Sequence, residues 1–330
     1  MGVAEALLIT ASVLIIVTNL SLIALILTSR TLRHTPSNLI IACIAFGHLL
    51  IGSFVLPFYI RFHYMGPTED CSLNVALPIS FQYISIFVVA WSMVTFSVYN
   101  VTKFHRSMTP KWLIGLQNCC SQRKICILWS YVAGPCFIIP VVWASLRSHK
   151  GAEDELMCML MMPSGWGVML AFFCLHLPYY LCIADIITIL VFQGRGCYRE
   201  LPPSLTTDRP EEEVEGESRA PIENPVLASF PMIVYAIGMF LLIVDDWLIL
   251  GGPHGQARSQ AEMMEFGAVV SALITPIVLP FTWLVFNDIK TEAAESLRNV
   301  LKMFQLCCSK PATSTPTTVT FSRLQETQAA

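Results

Sequence analysis

Charged residues are scarce in this sequence. Asp, Glu, Lys and Arg make up 13% of its 330 residues, while hydrophobic residues make up 55%. Soluble domains average roughly 25% charged residues, so little of the chain is left for a separate soluble domain. The net charge of −3 gives no argument for a nucleic-acid partner. Several apolar runs instead reach the length of about 20 residues that crosses a bilayer.

The apolar runs also lack the groups that bind common cofactors. No lysine occurs between Lys150 and Lys290, which excludes a standard retinal Schiff base. His, Asp and Glu do not recur across the runs at the spacing of a metal site. His176 stands alone in the fifth run, and this isolated position favours a core or pocket histidine over a metal ligand. We therefore predict no cofactor and no enzymatic activity, and a membrane hydrolase is disfavoured.

Basic residues are few on one side of the predicted membrane. Arg61, Arg147, Lys150 and Arg258 fall on that side, and all the other Lys and Arg residues fall on the opposite, cytoplasmic side. The amino end is then predicted to be extracellular. The first apolar run is long for a cleavable signal peptide, and Arg30 and Arg33 follow it, so we predict an uncleaved first span.

The sequence predicts an all-α membrane protein, a seven-transmembrane helix bundle followed by an amphipathic eighth helix. The predicted spans are 5–28, 38–60, 76–104, 125–146, 165–192, 226–250 and 266–287, with the eighth helix at 288–306. A short basic loop, 30–38, is predicted between the first two spans. The acidic inner loop 194–225 and the Thr/Ser-rich tail 309–330 are predicted to be disordered.

Cysteines are also rare outside the spans on the extracellular side. Of twelve, only Cys71 and Cys158 fall in predicted outer loops, where an oxidising space permits one disulfide. Two free thiols are the alternative. Cys307 and Cys308 follow the amphipathic helix, where juxtamembrane cysteines are candidates for S-palmitoylation or are plain exposed thiols.

Polar residues inside spans favour functional or packing roles because they are costly in hydrocarbon. Asn19 is predicted to bond neighbouring backbone. His48 is either a hydrogen-bonded core histidine or a proton-sensitive switch. Asp245 and its neighbour Asp246 lie near the outer end of the sixth span, either at the headgroup boundary or as a counter-ion for a cationic ligand. Trp247 either stacks on such a cation or anchors the interface.

Several positions share one order along the chain: Asn19 in the first span, Trp129 in the fourth, Pro178 in the fifth, and the segment 279–283 before the amphipathic helix. This order resembles rhodopsin-like G-protein-coupled receptors, where the last segment reads Asn-Pro-x-x-Tyr. The resemblance implies a plasma-membrane receptor with a disulfide between Cys71 and Cys158.

The resemblance also implies where such a receptor would act. An unknown extracellular small molecule or peptide would bind among the outer halves of the spans, and the residues to test are Gln82, Ile86, Phe173, Asp245, Trp247 and Glu265. The activation core would comprise Asn19, His48, Asn100, Pro280 and Trp283. A heterotrimeric G protein or arrestin, and membrane lipid, are the other implied partners.

The sequence departs from the family at its activation elements. His48 replaces an aspartate that binds sodium in the family, Tyr99-Asn100 replaces an Asp-Arg pair, and Leu279 replaces the asparagine. The sixth-span Cys-Trp-x-Pro is absent, so we expect no proline to interrupt that helix. These losses favour weak, constitutive or absent coupling. A non-signalling seven-span scaffold or heteromer partner is the second hypothesis. A transporter is the third, but the sequence lacks the internal repeat that transporters tend to have.

Overall fold

The computed structural model is helical at all the residues it describes except Ser29, Thr35 and Phe286. It describes residues 3–65, 71–104, 134–136, 138–140, 142, 169–170, 172–194, 225–251 and 273–308. The fourth predicted span, the loop after residue 194, the beginning of the seventh span and the tail after residue 308 lie wholly or largely outside these residues.

The longer helices are numbered α1 to α9 in chain order. The elements before residue 105 are α1 (Val3–Thr28), α2 (Arg30–His34), α3 (Pro36–Leu50), a π turn (Ile51–Val55), α4 (Leu56–Met65) and α5 (Cys71–Phe104). The later elements are a second π turn (Phe172–His176), α6 (Leu177–Gly194), α7 (Pro225–Gly251), α8 (273–282), a 3₁₀ turn (Trp283–Val285) and α9 (Asn287–Cys308).

Five of the described segments are long and apolar enough to cross a membrane, which indicates a membrane-embedded protein. They are Glu5–Thr28, Pro36–Arg61, Ser80–Val101, Phe172–Val191 and Leu227–Val244. A sixth is added if Leu273–Val285 and Asn287–Lys302, which meet at an angle of 100°, are taken together as one broken span.

The connections near the membrane surface contain more helix than the sequence predicted. The predicted basic loop 30–38 is instead mostly helical, since it forms α2 and the start of α3. The Ser29 hydroxyl accepts the backbone N–H of Leu32 at 3.3 Å and so caps α2. The Leu32 side chain is fully buried, which ties this short helix to the core.

Helix also replaces loop at two predicted extracellular positions. Arg61 lies within α4, and Cys71 is the first residue of α5. At both positions the helix continues beyond the predicted span end, and a helix satisfies its own backbone hydrogen bonds where the chain leaves the bilayer.

The expectation of a sixth span without proline is wrong. Pro231 lies inside α7, in the second turn from Pro225. Its missing N–H removes one hydrogen bond of the helix, to the carbonyl of Leu227. Apolar residues on both sides of Pro231 continue the span, so the proline does not end the helix.

The main core lies where α3, α5, α6 and α7 pack together with the end of α8 and the 3₁₀ turn that follows it. Its fully buried side chains include Ile44, Met93, Phe96, Tyr235 and Trp283. Exposed apolar residues such as Leu7, Ile237 and Phe240 lie on the outside of the described helices. This distribution suits a bundle whose outer surface contacts lipid.

Helix α7 approaches α8 very closely at Gly238. A Cβ atom at Gly238 would lie 1.9 Å from Oγ1 of Thr275, whose side chain is buried. Small residues permit such close contact between membrane helices. The pairing of α7 with α8 therefore depends on the absence of a side chain at this position.

We expect Gly238→Ala to lower the stability of the purified protein by about 1–3 kcal/mol, because an inserted methyl group overpacks the contact. Thermal unfolding in detergent measures the effect. Ile237→Ala, at a neighbouring side chain that is 68% exposed, is the control and should change the midpoint little. Thr275→Ala in the Gly238→Ala background should recover part of the loss, and an unchanged midpoint in Gly238→Ala itself would contradict the close contact.

Candidate functional site

Three of the prolines within the described helices, Pro57, Pro178 and Pro280, create the same chemical problem. Proline has no backbone N–H, so a carbonyl one turn earlier loses its usual donor. Water is absent from the hydrocarbon core, and an unpaired carbonyl there is costly. In each case a side chain from another helix supplies the donor.

The first of these carbonyls belongs to Pro276 in α8. Its partner in an α-helix would be the N–H of residue 280, which is Pro280. Nδ2 of Asn19, on α1, donates to this carbonyl at 3.0 Å and also to the carbonyl of Ile15 at 2.9 Å. Asn19 is fully buried. The hydrogen bond to neighbouring backbone that the sequence predicted for Asn19 is therefore present.

The second carbonyl belongs to Gly52 in the first π turn. The N–H of Leu56 donates to Ile51, and the next residue is Pro57, so the chain itself offers Gly52 no donor in either register. The buried Ser12 hydroxyl of α1 donates to the Gly52 carbonyl at 2.6 Å. This bond joins the first two spans.

The third carbonyl belongs to Phe173 in the second π turn, five residues before Pro178. Nε1–H of Trp91, on α5, donates to it at 3.1 Å. Both π turns thus end at a Leu-Pro pair, and both have one carbonyl bonded from a neighbouring helix. Sequence reasoning missed Ser12 and Trp91. The Leu-Pro pairs within apolar runs are the signal that points to such donors.

The apolar segment formed by α8 and the 3₁₀ turn ends at Phe286. Phe286 has extended backbone angles and separates this segment from α9. Asp288, in the first turn of α9, accepts a hydrogen bond from Nδ2 of Asn38 at 2.9 Å through Oδ2 and from the N–H of Ile289 at 2.9 Å through Oδ1. A carboxylate at this position also suits the positive end of the helix dipole. The junction is thereby attached to the start of α3.

Helix α9 is amphipathic beyond this junction. Ile289 is fully buried, whereas Leu297 and Leu301 on the same side of the helix are 61% and 53% exposed. Glu295, Arg298 and Lys302 lie on the opposite side at helical spacing. The helix continues through Cys307 and Cys308, so these cysteines form its last turn and do not follow it as predicted.

Aromatic side chains pack against one another next to the junction at Phe286. Trp283, predicted in the activation core with Pro280, is 1% exposed. Its ring meets the Phe96 ring edge-on at 5.0 Å and the Phe286 ring at 6.0 Å between centroids. Edge-on aromatic pairs add to the stability that comes from burial alone. The contact connects the end of the last apolar helix to α5.

Two other residues of the predicted activation core are buried in the bundle. His48 on α3 is 2% exposed and Asn100 on α5 is 3% exposed. Nδ2 of Asn100 has no hydrogen-bond partner among the described residues, and neither has the buried hydroxyl of Tyr235. Buried polar atoms are usually hydrogen-bonded, so these two buried atoms without a partner among the described residues are unusual.

A polar contact that sequence reasoning did not assign joins α5 to α6. The Ser97 hydroxyl is hydrogen-bonded to Oδ2 of Asp185, and it also lies 2.8 Å from the carbonyl of Val94. A hydroxyl has one proton, so Ser97 donates to only one of these oxygens at a time. Asp185 was visible in the sequence as a carboxylate within an apolar run, which is itself a signal of function.

The predicted ligand-binding residues are placed unevenly. Gln82 is exposed, Phe173 is 39% exposed, and Ile86 is half-buried against the core. Asp245 and Trp247 lie in the last turns of α7, but their side chains are outside the described part, and Glu265 is wholly outside it. The ligand site therefore stays a prediction.

The covalent modifications also stay predictions. Cys71 begins α5, but its side chain and the whole of Cys158 lie outside the described part of the chain. The side chains of Cys307 and Cys308 are likewise outside it.

No protein-family model matches this chain, and no curated protein matches it significantly in sequence. The functional argument therefore depends on the residues and contacts described above.

We expect Asn19→Leu to destabilise the protein by about 1–2 kcal/mol, because the Pro276 carbonyl would lose its donor. In a Pro280→Ala background the introduced alanine supplies the missing N–H, so the same substitution should cost less. A double-mutant cycle by thermal unfolding in detergent measures this coupling. Thr10→Val, which removes an exposed bond within α1, is the control. Equal losses in both backgrounds would show that Asn19 does not compensate for Pro280.

The Trp91 contact should follow the same rule. We expect Trp91→Phe, which keeps an aromatic ring but removes the N–H, to destabilise the protein by about 1 kcal/mol. The loss should shrink when Pro178 is replaced by alanine, since residue 178 then has an N–H for the π turn. Unfolding midpoints of the two single variants and the double variant test this. A purely additive result would contradict a link between Trp91 and the proline.

Proposed function

We propose that this chain is a rhodopsin-like receptor that carries an extracellular ligand signal across the plasma membrane. It forms a bundle of seven spans with the amino end outside, and α9 lies along the inner membrane surface. The ligand is a small molecule or peptide, and the intracellular partner is a heterotrimeric G protein or an arrestin.

The observation that carries the proposal is the junction at Phe286. An apolar helix ends there, and an amphipathic helix leaves it at 100°. The Asn38–Asp288 bond holds this junction against α3, and the Asn19–Pro276 bond holds the preceding helix against α1. These two bonds join residues far apart in sequence, and Asn19 is the one of them that the resemblance assigns to the activation core, so the junction is a site that can relay movement.

The exposed face of α9 supports its position at the membrane. Leu297, Val300 and Leu301 are exposed in the isolated chain, while charged residues occupy the other side of the helix. An amphipathic helix of this kind lies in the headgroup region with its apolar face in lipid. Helix α9 follows the last span directly, so the headgroup region that it occupies lies next to the end of that span.

One observation favours the second candidate, a seven-span partner that does not signal by itself. Asn100 stands where the family has a charged arginine, and it is buried within the core. A neutral amide at this place offers no charge for an intracellular partner. Signalling would then depend on other residues or on a second receptor.

The deciding experiment measures G-protein recruitment in intact cells for the unmodified protein and for Asn100→Arg. An amino-terminal tag confirms surface display and orientation. We expect the unmodified receptor to recruit a G protein above the background of untransfected cells. Recruitment only by Asn100→Arg would show a competent bundle that has lost one charged group, and it would favour the non-signalling partner for the natural chain.

Silence of both proteins at normal surface levels would overturn the receptor proposal. Thr10→Val serves as a matched surface-expression control, because it alters a hydroxyl on the exposed side of α1. Detection of the amino-terminal tag only after the cells are permeabilised would overturn the proposed orientation.

A further inference from the structure

Asp185 has two possible hydrogen-bond donors on the neighbouring helix α5. It is bonded to the Ser97 hydroxyl. Asn100 follows Ser97 by three residues, so the two side chains lie on nearly the same face of α5, about one turn apart. The Asn100 amide nitrogen is buried and has no partner among the described residues. Ser97 is therefore already bonded to Asp185, and Asn100 is a second donor about one turn away on α5.

We propose that Asp185 is a two-position switch between α5 and α6, bonded to Ser97 in one state and to Asn100 in the other. Each state satisfies the carboxylate with one donor of α5. Two states with alternative contacts of similar kind can differ by a small free energy, which is the requirement for a population shift. The inference concerns the helix pair itself and does not require that the chain couples to a G protein.

The second π turn gives α6 the freedom that the exchange needs. It lies directly before α6 and ends at Pro178, where the regular backbone bonding is interrupted. The Trp91–Phe173 bond holds this turn against α5, while Asp185 lies two turns further along α6 than Pro178. A change of the turn between π and α geometry would move Asp185 relative to α5.

The size of the movement follows from helix geometry. Three residues of α-helix rise about 4.5 Å, and rotation of the Asp185 side chain covers part of that distance. The expected displacement of α6 along α5 is therefore less than one helical turn. One-step exchanges between adjacent positions are among the ways in which packed helices change state.

The surroundings of Asp185 make the carboxylate suitable for a switch. Its neighbours on α6, Cys182 and Ile186, are buried in the core, whereas Asp185 itself is only half-buried. Within the described helices, Ser97 is the donor that the structure assigns to its carboxylate. A carboxylate among apolar side chains keeps a strong preference for a donor, so loss of one should drive it to the other.

The test is a distance measurement between α5 and α6 in the purified full-length protein. Spin labels are carried by non-canonical amino acids at residues 104 and 191, near the ends of the two helices, so that the twelve native cysteines stay unchanged. Val191 is 44% exposed and accepts a label. Pulsed electron resonance then gives the distribution of label distances.

We expect the unmodified protein and Asn100→Leu to share one main distance, that of the Ser97-bonded state. Ser97→Ala should move most of the population to a second distance that differs by up to about 4.5 Å. Adding Asn100→Leu to Ser97→Ala should abolish this second distance. Ser97→Thr retains the hydroxyl and should restore the original distribution.

Ser12→Ala is the matched control for Ser97→Ala. It too removes a buried serine hydroxyl that bonds another helix, but between α1 and the first π turn. It should lower the unfolding midpoint without altering the distance between α5 and α6. The same shift in Ser12→Ala would show that general loosening causes the change and would overturn the switch.

Two further outcomes would also overturn it. One is an unchanged distribution in Ser97→Ala, and the other is a second distance that persists in Ser97→Ala with Asn100→Leu. If the switch variants fold poorly, Asp185→Asn provides an independent check, because its amide oxygen still accepts a bond but has no charge to favour one donor. It should populate both distances, and a single wild-type distance would count against the proposal.

The distance measurement and the recruitment assay separate the two proposals. A shift in Ser97→Ala without any G-protein recruitment would support the switch and reject the signalling receptor. Recruitment without any shift would do the reverse.

Discussion

Backbone carbonyls that lose their donor to a proline organise the packing of this protein. Within hydrocarbon such a carbonyl must be bonded by another part of the chain. Ser12 bonds Gly52, Trp91 bonds Phe173, and Asn19 bonds Pro276. Each bond runs between different helices, so the interruption of one helix determines the position of a second. The bundle is held at these three points by directional bonds as well as by apolar packing.

The same contacts give the bundle places where it can change shape. A π turn or a proline interrupts the rigid ladder of a helix, and the donor from the next helix keeps the interruption in one form. Asp185 lies beyond one such turn, and Trp283 lies just beyond another interruption at Pro280. Ser97 bonds the first of these residues, and the ring of Phe96 meets the ring of the second.

Sequence reasoning found the polar residues that match the order of a family's motifs and overlooked those that do not. Asn19 and Pro280 were expected to act together, and a hydrogen bond joins their helices. Pro231 is plain in the sequence, but it lies earlier in that helix than the position of the missing Cys-Trp-x-Pro motif. Asp185 stands out in the sequence as a carboxylate within an apolar run, but its partner Ser97 is 88 residues away and cannot be found from the sequence.

The sequence by itself determined the helical class and the apolar segments that the structure describes, because hydrophobicity and helix length are properties of local segments. It also predicted the amphipathic helix after the last span from the spacing of its apolar residues. Only the tertiary structure decided which donor reaches each freed carbonyl, that Asp288 bonds Asn38, and that Ser97 bonds Asp185 of α6 with Asn100 one turn away. These pairings depend on how helices pack side by side, and residues 40 to 257 positions apart meet only when the bundle has formed.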